Sequence, residues 1–181
     1  MRRETWWYLS RASGLVAWAL LGVACLWGIL LVTRMLKPVD RPAWLLDLHR
    51  WLGALAVIAT AVHVVTLLLN PRLGWGWREL TIPHIESWHH SPRAWGVFAM
   101  YALVLVQVTS MMMRRIPRRW WHGIHLLSYV LFTAATVHGV QAGPDNQNML
   151  VIVVIVGSSA ILLFACYVRL AFMRVKQHRR A

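Results

Sequence analysis

The sequence predicts an all-α membrane protein, a polytopic bundle of five transmembrane helices. The chain of 181 residues is 59% hydrophobic and 14% charged, which is too apolar for an ordinary soluble domain. Five apolar runs are long enough to cross a bilayer. The basic residues fall in short clusters between these runs, as in membrane proteins with a fixed orientation. A chain of this length has room for one domain, covering residues 1–181.

The five predicted spans can be placed to within several residues. They cover residues 12–33, 43–69, 94–113, 120–142 and 149–173. The first is an uncharged run of 22 residues, longer than the core of a secretory signal, so we expect it to be retained. Asn70-Pro71 ends the second span and Gly143-Pro144 ends the fourth. Aromatic residues typical of an interfacial belt recur near the span ends: Trp6, Trp7, Tyr8, Trp44, Trp95, Trp120 and Trp121.

The distribution of basic residues predicts the orientation. Of the 19 Lys and Arg residues, six fall on one side of the predicted membrane and thirteen on the other. The richer side is expected to be cytoplasmic, which places the N-terminus outside and the C-terminus in the cytoplasm. The net charge of +13 therefore reflects topology, and we expect contact with the lipid bilayer and none with nucleic acid.

Two spans carry two histidines each. His49 and His63 lie 14 positions apart on the second span, and His125 and His138 lie 13 apart on the fourth. Ionisable groups inside a membrane are costly and mark function. Each separation is about 20 Å along a helix. Both spans run from inside to outside, so we call His49 and His125 the inner pair and His63 and His138 the outer pair.

Two facing imidazole pairs at two depths suit two stacked haems. Two axial imidazoles fill both open positions of a haem iron, which then carries electrons, while the protein holds and tunes the cofactor. A single membrane histidine more often makes an interhelical hydrogen bond, and that alternative applies here too. A 13-residue step does not return to the same face of a regular helix. We therefore expect the fourth helix to bend, tighten or cross its partner, with Ser128, Thr133 and Thr136 as candidate sites of distortion.

Other residues are weaker candidates. His122 lies one turn before His125 and could compete with it as a ligand. The outer loop, residues 71–92, is rich in apolar side chains and is predicted to lie along the membrane surface. Its histidines are candidates for a metal ion: His84, His89 and His90. Candidate partners of haem propionates are Arg50, Arg115, Arg118 and Arg119 inside and Arg11 and Arg93 outside. Small residues that would admit a flat macrocycle are Gly53, Ala56, Ala59, Ala134, Ala135 and Gly139.

These residues resemble the ferric reductase-like transmembrane domain. NADPH oxidases, ferric-chelate reductases and the haem subunit of a bacterial periplasmic methionine-sulfoxide reductase system share that domain. The stretches that carry the resemblance are LSRASGLVAW, LHRWLG, AVHVV, VTSMMMRRIPRRWWHGIHLLSY and VHGVQAG. The resemblance implies two b-type haems, the inner one held by His49 and His125 and the outer one by His63 and His138. It also implies that Arg11 lies near the haems, and that the chain is a multi-pass protein of a bacterial inner membrane.

The resemblance also predicts the partners. Relatives that oxidise NADPH continue into flavin- and nucleotide-binding domains, whereas here residues 174–181 follow the last span and no Gly-rich nucleotide fingerprint occurs. We therefore expect an electron-transfer subunit of an oxidoreductase, with flavin only on a separate partner. The donor would be a reductase flavoprotein docked on the basic inner face, or quinol. The acceptor would be a ferric chelate, dioxygen or an extracytoplasmic redox protein.

Two alternatives stay open at this point. One is a quinol-linked, cytochrome b-like subunit of a larger complex, whose haem-ligand spacing is similar. The other is a non-redox transporter or assembly protein whose histidines bind metal ions or protons.

Overall fold

The computed structural model describes residues 3–34, 42–83, 92–143 and 148–178, and every regular element in these ranges is a helix. The helices are α1 Arg3–Thr33, α2 Pro42–Leu68, α3 Trp77–Thr81, α4 Pro92–Met111, α5 Arg118–Ala142 and α6 Met149–His178. All except the short α3 are long and apolar enough to cross a membrane. The predicted all-α class with five spans is thus confirmed. One boundary differs clearly, because α1 extends through the polar residues that precede its apolar run.

The membrane-spanning helices form two tightly packed hairpins. The α1–α2 hairpin and the α4–α5 hairpin each have extensive contact along their length. The hairpins touch each other less closely, through α1 with α5 and α2 with α4, and α6 packs on the outside of α1. Within the described helices, α2 and α5 are not among the closely packed pairs. They stand at opposite corners of a four-helix bundle rather than side by side.

An aromatic layer joins the hairpins at mid-depth. The Trp18 ring of α1 stacks on the Phe132 ring of α5, with centroids 5.9 Å apart. The Trp18 indole also donates to the hydroxyl of Thr136 at 2.9 Å. Gly22 permits this approach, because a Cβ there would lie 3.0 Å from the Phe132 ring. Small residues such as Ala56 and Ala134, both almost fully buried, allow the helices to pack closely around this layer.

The helix expected to be distorted, α5, is continuous from Arg118 to Ala142. Thr133 donates to the carbonyl of Tyr129 at 3.0 Å, and Thr136 donates to that of Phe132 at 2.8 Å. Threonine hydroxyls that bond back to the carbonyl four residues earlier tend to bend a helix. The carbonyl of Ser128 accepts from the Cys25 thiol of α1 at 3.7 Å.

The described part of the outer loop, residues 71–83, contains α3 and is tied to α4. Tyr101 donates its hydroxyl to the carbonyl of Thr81 at 2.9 Å. The Arg93 guanidinium lies 5.1 Å from the centroid of the Trp75 ring. Leu80 is buried, while Trp77 is largely exposed. The segment therefore has one face against the bundle, and its position along the membrane surface stays a prediction.

Candidate functional site

The four span histidines come together in two facing pairs. The ring centroids of His49 and His125 are 5.9 Å apart, and those of His63 and His138 are 6.2 Å apart. In each pair the ring planes are steeply inclined, at 71° and 75° respectively. One ring of each pair comes from α2 and the other from α5. The two diagonal helices therefore meet through their imidazoles.

Main-chain carbonyls hold both rings of the outer pair. Nδ1 of His63 lies 2.7 Å from the carbonyl oxygen of Ser10 on α1. Nδ1 of His138 lies 2.7 Å from the carbonyl oxygen of Pro92 on α4. A carbonyl can only accept, so Nδ1 must carry the proton in both rings. The nitrogen left with a free lone pair is therefore Nε2.

The inner pair is held partly by a main chain and partly by side chains. Nδ1 of His49 donates to the carbonyl of Ala24 on α1 at 3.1 Å. Nδ1 of His125 lies 3.2 Å from the hydroxyl of Ser110 on α4, a group that can donate or accept. The indole of Trp121 stacks on His125 with centroids 5.2 Å apart and planes 20° apart. Trp121, expected in the interfacial belt, is thus also part of this site.

Glycines on the neighbouring helices make room for three of the four rings. A Cβ at Gly96 would lie 2.8 Å from Cε1 of His138. A Cβ at Gly14 would lie 3.0 Å from Cε1 and Nδ1 of His63, and one at Gly28 would lie 3.3 Å from Cε1 of His49. A Cβ at Gly96 would force the His138 ring to shift, and one at Gly14 or Gly28 would require its ring to give by a few tenths of an ångström. These three rings are therefore each confined between a hydrogen-bond acceptor and a glycine.

This arrangement fits two axial ligand sets for haem iron. Ligating histidines generally donate their other ring nitrogen to a carbonyl or similar acceptor, which fixes the tautomer. Two imidazoles on opposite sides of one metal ion, each at about 2 Å, would have centroids about 6 Å apart. Within the described ranges, no three His, Cys, Asp or Glu side chains converge as a protein-only metal site would require. Two imidazoles leave the remaining iron positions to a macrocycle.

The outer site contains a repeated sequence pattern. Residues 10–14 read SRASG and residues 92–96 read PRAWG. In both stretches the first residue supplies the carbonyl for an outer imidazole, and the fifth is the glycine that faces the same ring. Sequence reasoning missed these positions, although the shared R-A-x-G pattern, in the first part of α1 and at the start of α4, was visible.

The remaining candidate residues have other environments. Arg11 is half-buried on α1, directly after Ser10, with its guanidinium carbon 5.9 Å from the Trp7 ring centroid. Exposed His122 lies beside Trp121, outside the inner pair. Gly53 faces the side chain of Gln107, while nothing lies within 4 Å of a Cβ at Gly139. The candidate loop metal ligands fall outside the described residues: His84, His89 and His90.

The inner arginines lie at the surface. Arg50 is exposed and pairs with Asp47 at 3.2 Å. Arg119 is also exposed and lies 6.0 Å from the Trp120 ring centroid. Arg115 and Arg118 are exposed as well. They surround this end of the bundle with positive charge.

The fold and the site together define a polytopic helical membrane protein with two imidazole pairs in its interior. The ferric reductase like transmembrane component family matches residues 13–136 of this sequence. The match covers more than half of the chain, so the chain belongs to this family, as the sequence pattern predicted. Membership indicates a redox, electron-transferring role in the membrane. Comparisons with curated proteins and with solved structures gave no match.

Proposed function

We propose that the protein is a dihaem electron carrier that moves electrons across the membrane between a donor on the inner side and an acceptor on the outer side. His49 and His125 would hold one b-type haem, and His63 and His138 the other. The two irons supply one-electron chemistry when bound. The chain contributes the imidazoles, their orientation and the separation of the two sites.

The observation that carries the proposal is the matched support of the four imidazoles. In the α1–α2 hairpin, α1 carbonyls fix both α2 rings, and in the α4–α5 hairpin, α4 groups fix both α5 rings. Interhelical hydrogen bonding alone would explain one such contact. It does not explain why all four rings also meet in pairs at a separation suited to a shared metal.

The charge distribution supports the proposed direction of transfer and the docking site of the donor. The predicted cytoplasmic end carries most of the basic residues, which would attract an acidic reductase flavoprotein; quinol is the other donor we consider. A ferric chelate, dioxygen or an extracytoplasmic redox protein would accept electrons at the outer end. The predicted location is the bacterial inner membrane, with the N-terminus outside. Arg11, beside the carbonyl that holds His63, is assigned to the outer haem.

The test is a haem count on the purified full chain. The wild type should show a Soret band and two haems per chain by pyridine haemochrome. His63→Ala or His138→Ala should remove one haem, and His49→Ala should remove the other. Because the imidazole planes are steeply inclined, the oxidised protein should give strongly anisotropic low-spin electron paramagnetic resonance signals.

His122→Ala provides the matched control, because His122 neighbours the inner pair in sequence but is exposed. This variant should keep both haems. A wild-type protein without a Soret band, despite haem supply during expression, would overturn the proposal in favour of a non-redox protein. Loss of haem from His122→Ala with full retention in His49→Ala would show that the ligand set is wrong.

A further inference from the structure

Three buried side-chain nitrogens lack a hydrogen-bond partner in the part of the chain that the structure describes. They are the indole nitrogens of Trp27 and Trp121 and the amide nitrogen of Asn70. A buried donor without an acceptor costs about 1–3 kcal/mol, so such groups call for an explanation. Asn70 follows α2 at the outer end. Both tryptophans lie at the inner end, next to the inner pair.

Trp27 and Trp121 flank the two inner imidazoles. Trp27 precedes Gly28, whose backbone faces His49, and it lies edge-on to Trp44 near the start of α2 with centroids 6.2 Å apart. Trp121 stacks on His125 from one turn earlier on α5. Along its helix, Trp121 lies about 6 Å from its histidine toward the inner end. Two buried donors therefore occupy the same side of the inner pair, one in each hairpin.

An indole nitrogen can only donate a hydrogen bond, so both sites need an acceptor that the described residues do not provide. The chain has only six Asp and Glu residues, and the one on α2, Asp47, is exposed and paired with Arg50. The surrounding surface is basic, which favours an anionic acceptor. Two carboxylates at one edge of a haem are the acceptors that its binding would bring.

We propose that Trp27 and Trp121 donate their indole N–H groups to the propionate carboxylates of the haem at the inner pair. This inference rests on the proposed function. These two contacts would fix how that haem is rotated about the line through its two imidazole ligands. Its propionate edge would then face the C-terminal end of α1 and the N-terminal ends of α2 and α5. The exposed arginines then add a surrounding positive potential, while the two indoles make the direct contacts.

The experiment compares haem with its dimethyl ester, in which both propionates are blocked. The full chain is loaded with either compound, and its transfer to excess apomyoglobin is followed by absorbance. The kinetic phase of the inner haem is assigned with the His63→Ala variant. In the wild type, the ester should leave the inner site at least about tenfold faster than haem, since bonds to charged acceptors are strong.

Trp27→Phe and Trp121→Phe remove the N–H group and keep an aromatic ring. Each substitution should speed the loss of haem from the inner site about tenfold and leave the rate of loss of the ester nearly unchanged. The double variant should therefore lose haem and its ester at about the same rate. Trp18→Phe is the matched control, because its indole already donates to Thr136; it should preserve the wild-type preference. A purely structural role would speed the loss of both compounds equally.

The outcomes separate this inference from the proposed function. A wild type that binds no haem overturns both. A wild type with two haems that loses inner haem and inner ester at the same rate overturns the propionate contacts alone. If the tryptophan variants do not fold, as judged by helical circular dichroism, equal loss of inner haem and inner ester from the wild type still overturns the inference.

Discussion

The imidazole rings of the outer and the inner pair are held in place by different parts of the chain. Both outer imidazoles donate to main-chain carbonyls at 2.7 Å. The inner imidazoles have longer contacts, one to a carbonyl at 3.1 Å and one to a hydroxyl at 3.2 Å. A carbonyl is present whatever the side chain, whereas a hydroxyl can be lost by one mutation. The outer site is therefore set by backbone geometry, and the inner site can be altered through side chains.

The largest effect is expected from filling the glycine space at the outer pair. In Gly96→Leu, the new Cβ would lie 2.8 Å from the His138 ring. The ring must then turn away and lose its bond to Pro92, and the variant should lose one haem per chain while keeping the other. Pyridine haemochrome measures the loss.

Gly139→Leu is the control for that variant. Gly139 adjoins His138 in sequence, but it is exposed, and nothing lies within 4 Å of a Cβ there, so both haems should remain. Equal haem loss in the two variants would mean that helix disruption, and not the position of the His138 ring, is responsible.

A smaller, graded effect is expected from the two glycines of α1. Gly14→Ala places a methyl group 3.0 Å from His63, and Gly28→Ala places one 3.3 Å from His49. Both contacts are tight, and the ring of His63 must move further than that of His49. Gly14→Ala should therefore speed loss of the outer haem to apomyoglobin more than Gly28→Ala speeds loss of the inner one. The reverse order would show that the outer site is the more adaptable of the two.

The smallest effect is expected where a side chain, and not a main-chain carbonyl, holds an imidazole ring in place. Ser110→Ala removes the hydroxyl next to His125 and should weaken the inner haem by about 1 kcal/mol, or about fivefold in its loss rate. Ser10→Ala should leave the loss rate of the outer haem unchanged. His63 donates to the main-chain carbonyl of Ser10, which the variant keeps, whereas the Ser10 hydroxyl donates to the carbonyl of Trp7. A loss of outer haem in Ser10→Ala would contradict the conclusion that the main-chain carbonyl of Ser10 holds His63.

The sequence predicted the spans well because apolar runs and helix-ending residues are local signals. The helix α1 begins before the predicted first span, since hydropathy reports contact with lipid and the helix continues through polar residues such as Glu4. The spacing of the histidines predicted which imidazoles would meet, and the facing rings agree with it; their role as ligands stays a prediction.

The supports of the imidazoles were harder to foresee. A main-chain carbonyl has no residue-type signature, so Ala24, which lies outside the repeated R-A-x-G pattern, could not be singled out from the sequence. Trp121 was interpreted as an interfacial anchor, because a tryptophan beside basic residues usually is one. Its stacking on His125 depends on the rotation of α5, which a sequence pattern does not specify. Likewise, the diagonal placement of α2 and α5 depends on which helices pack against each other, and the sequence pattern of the spans does not specify this.

The sparse contact between the two hairpins bears on how the protein is made. The first hairpin can complete its internal packing in the membrane while the ribosome is still synthesising the second, as expected when helices insert before they associate. The two hairpins then join through α1 with α5 and α2 with α4. Each proposed haem would be held by one imidazole from either hairpin and would tie the two together, so a cell deprived of haem is expected to accumulate chains whose hairpins are less firmly joined.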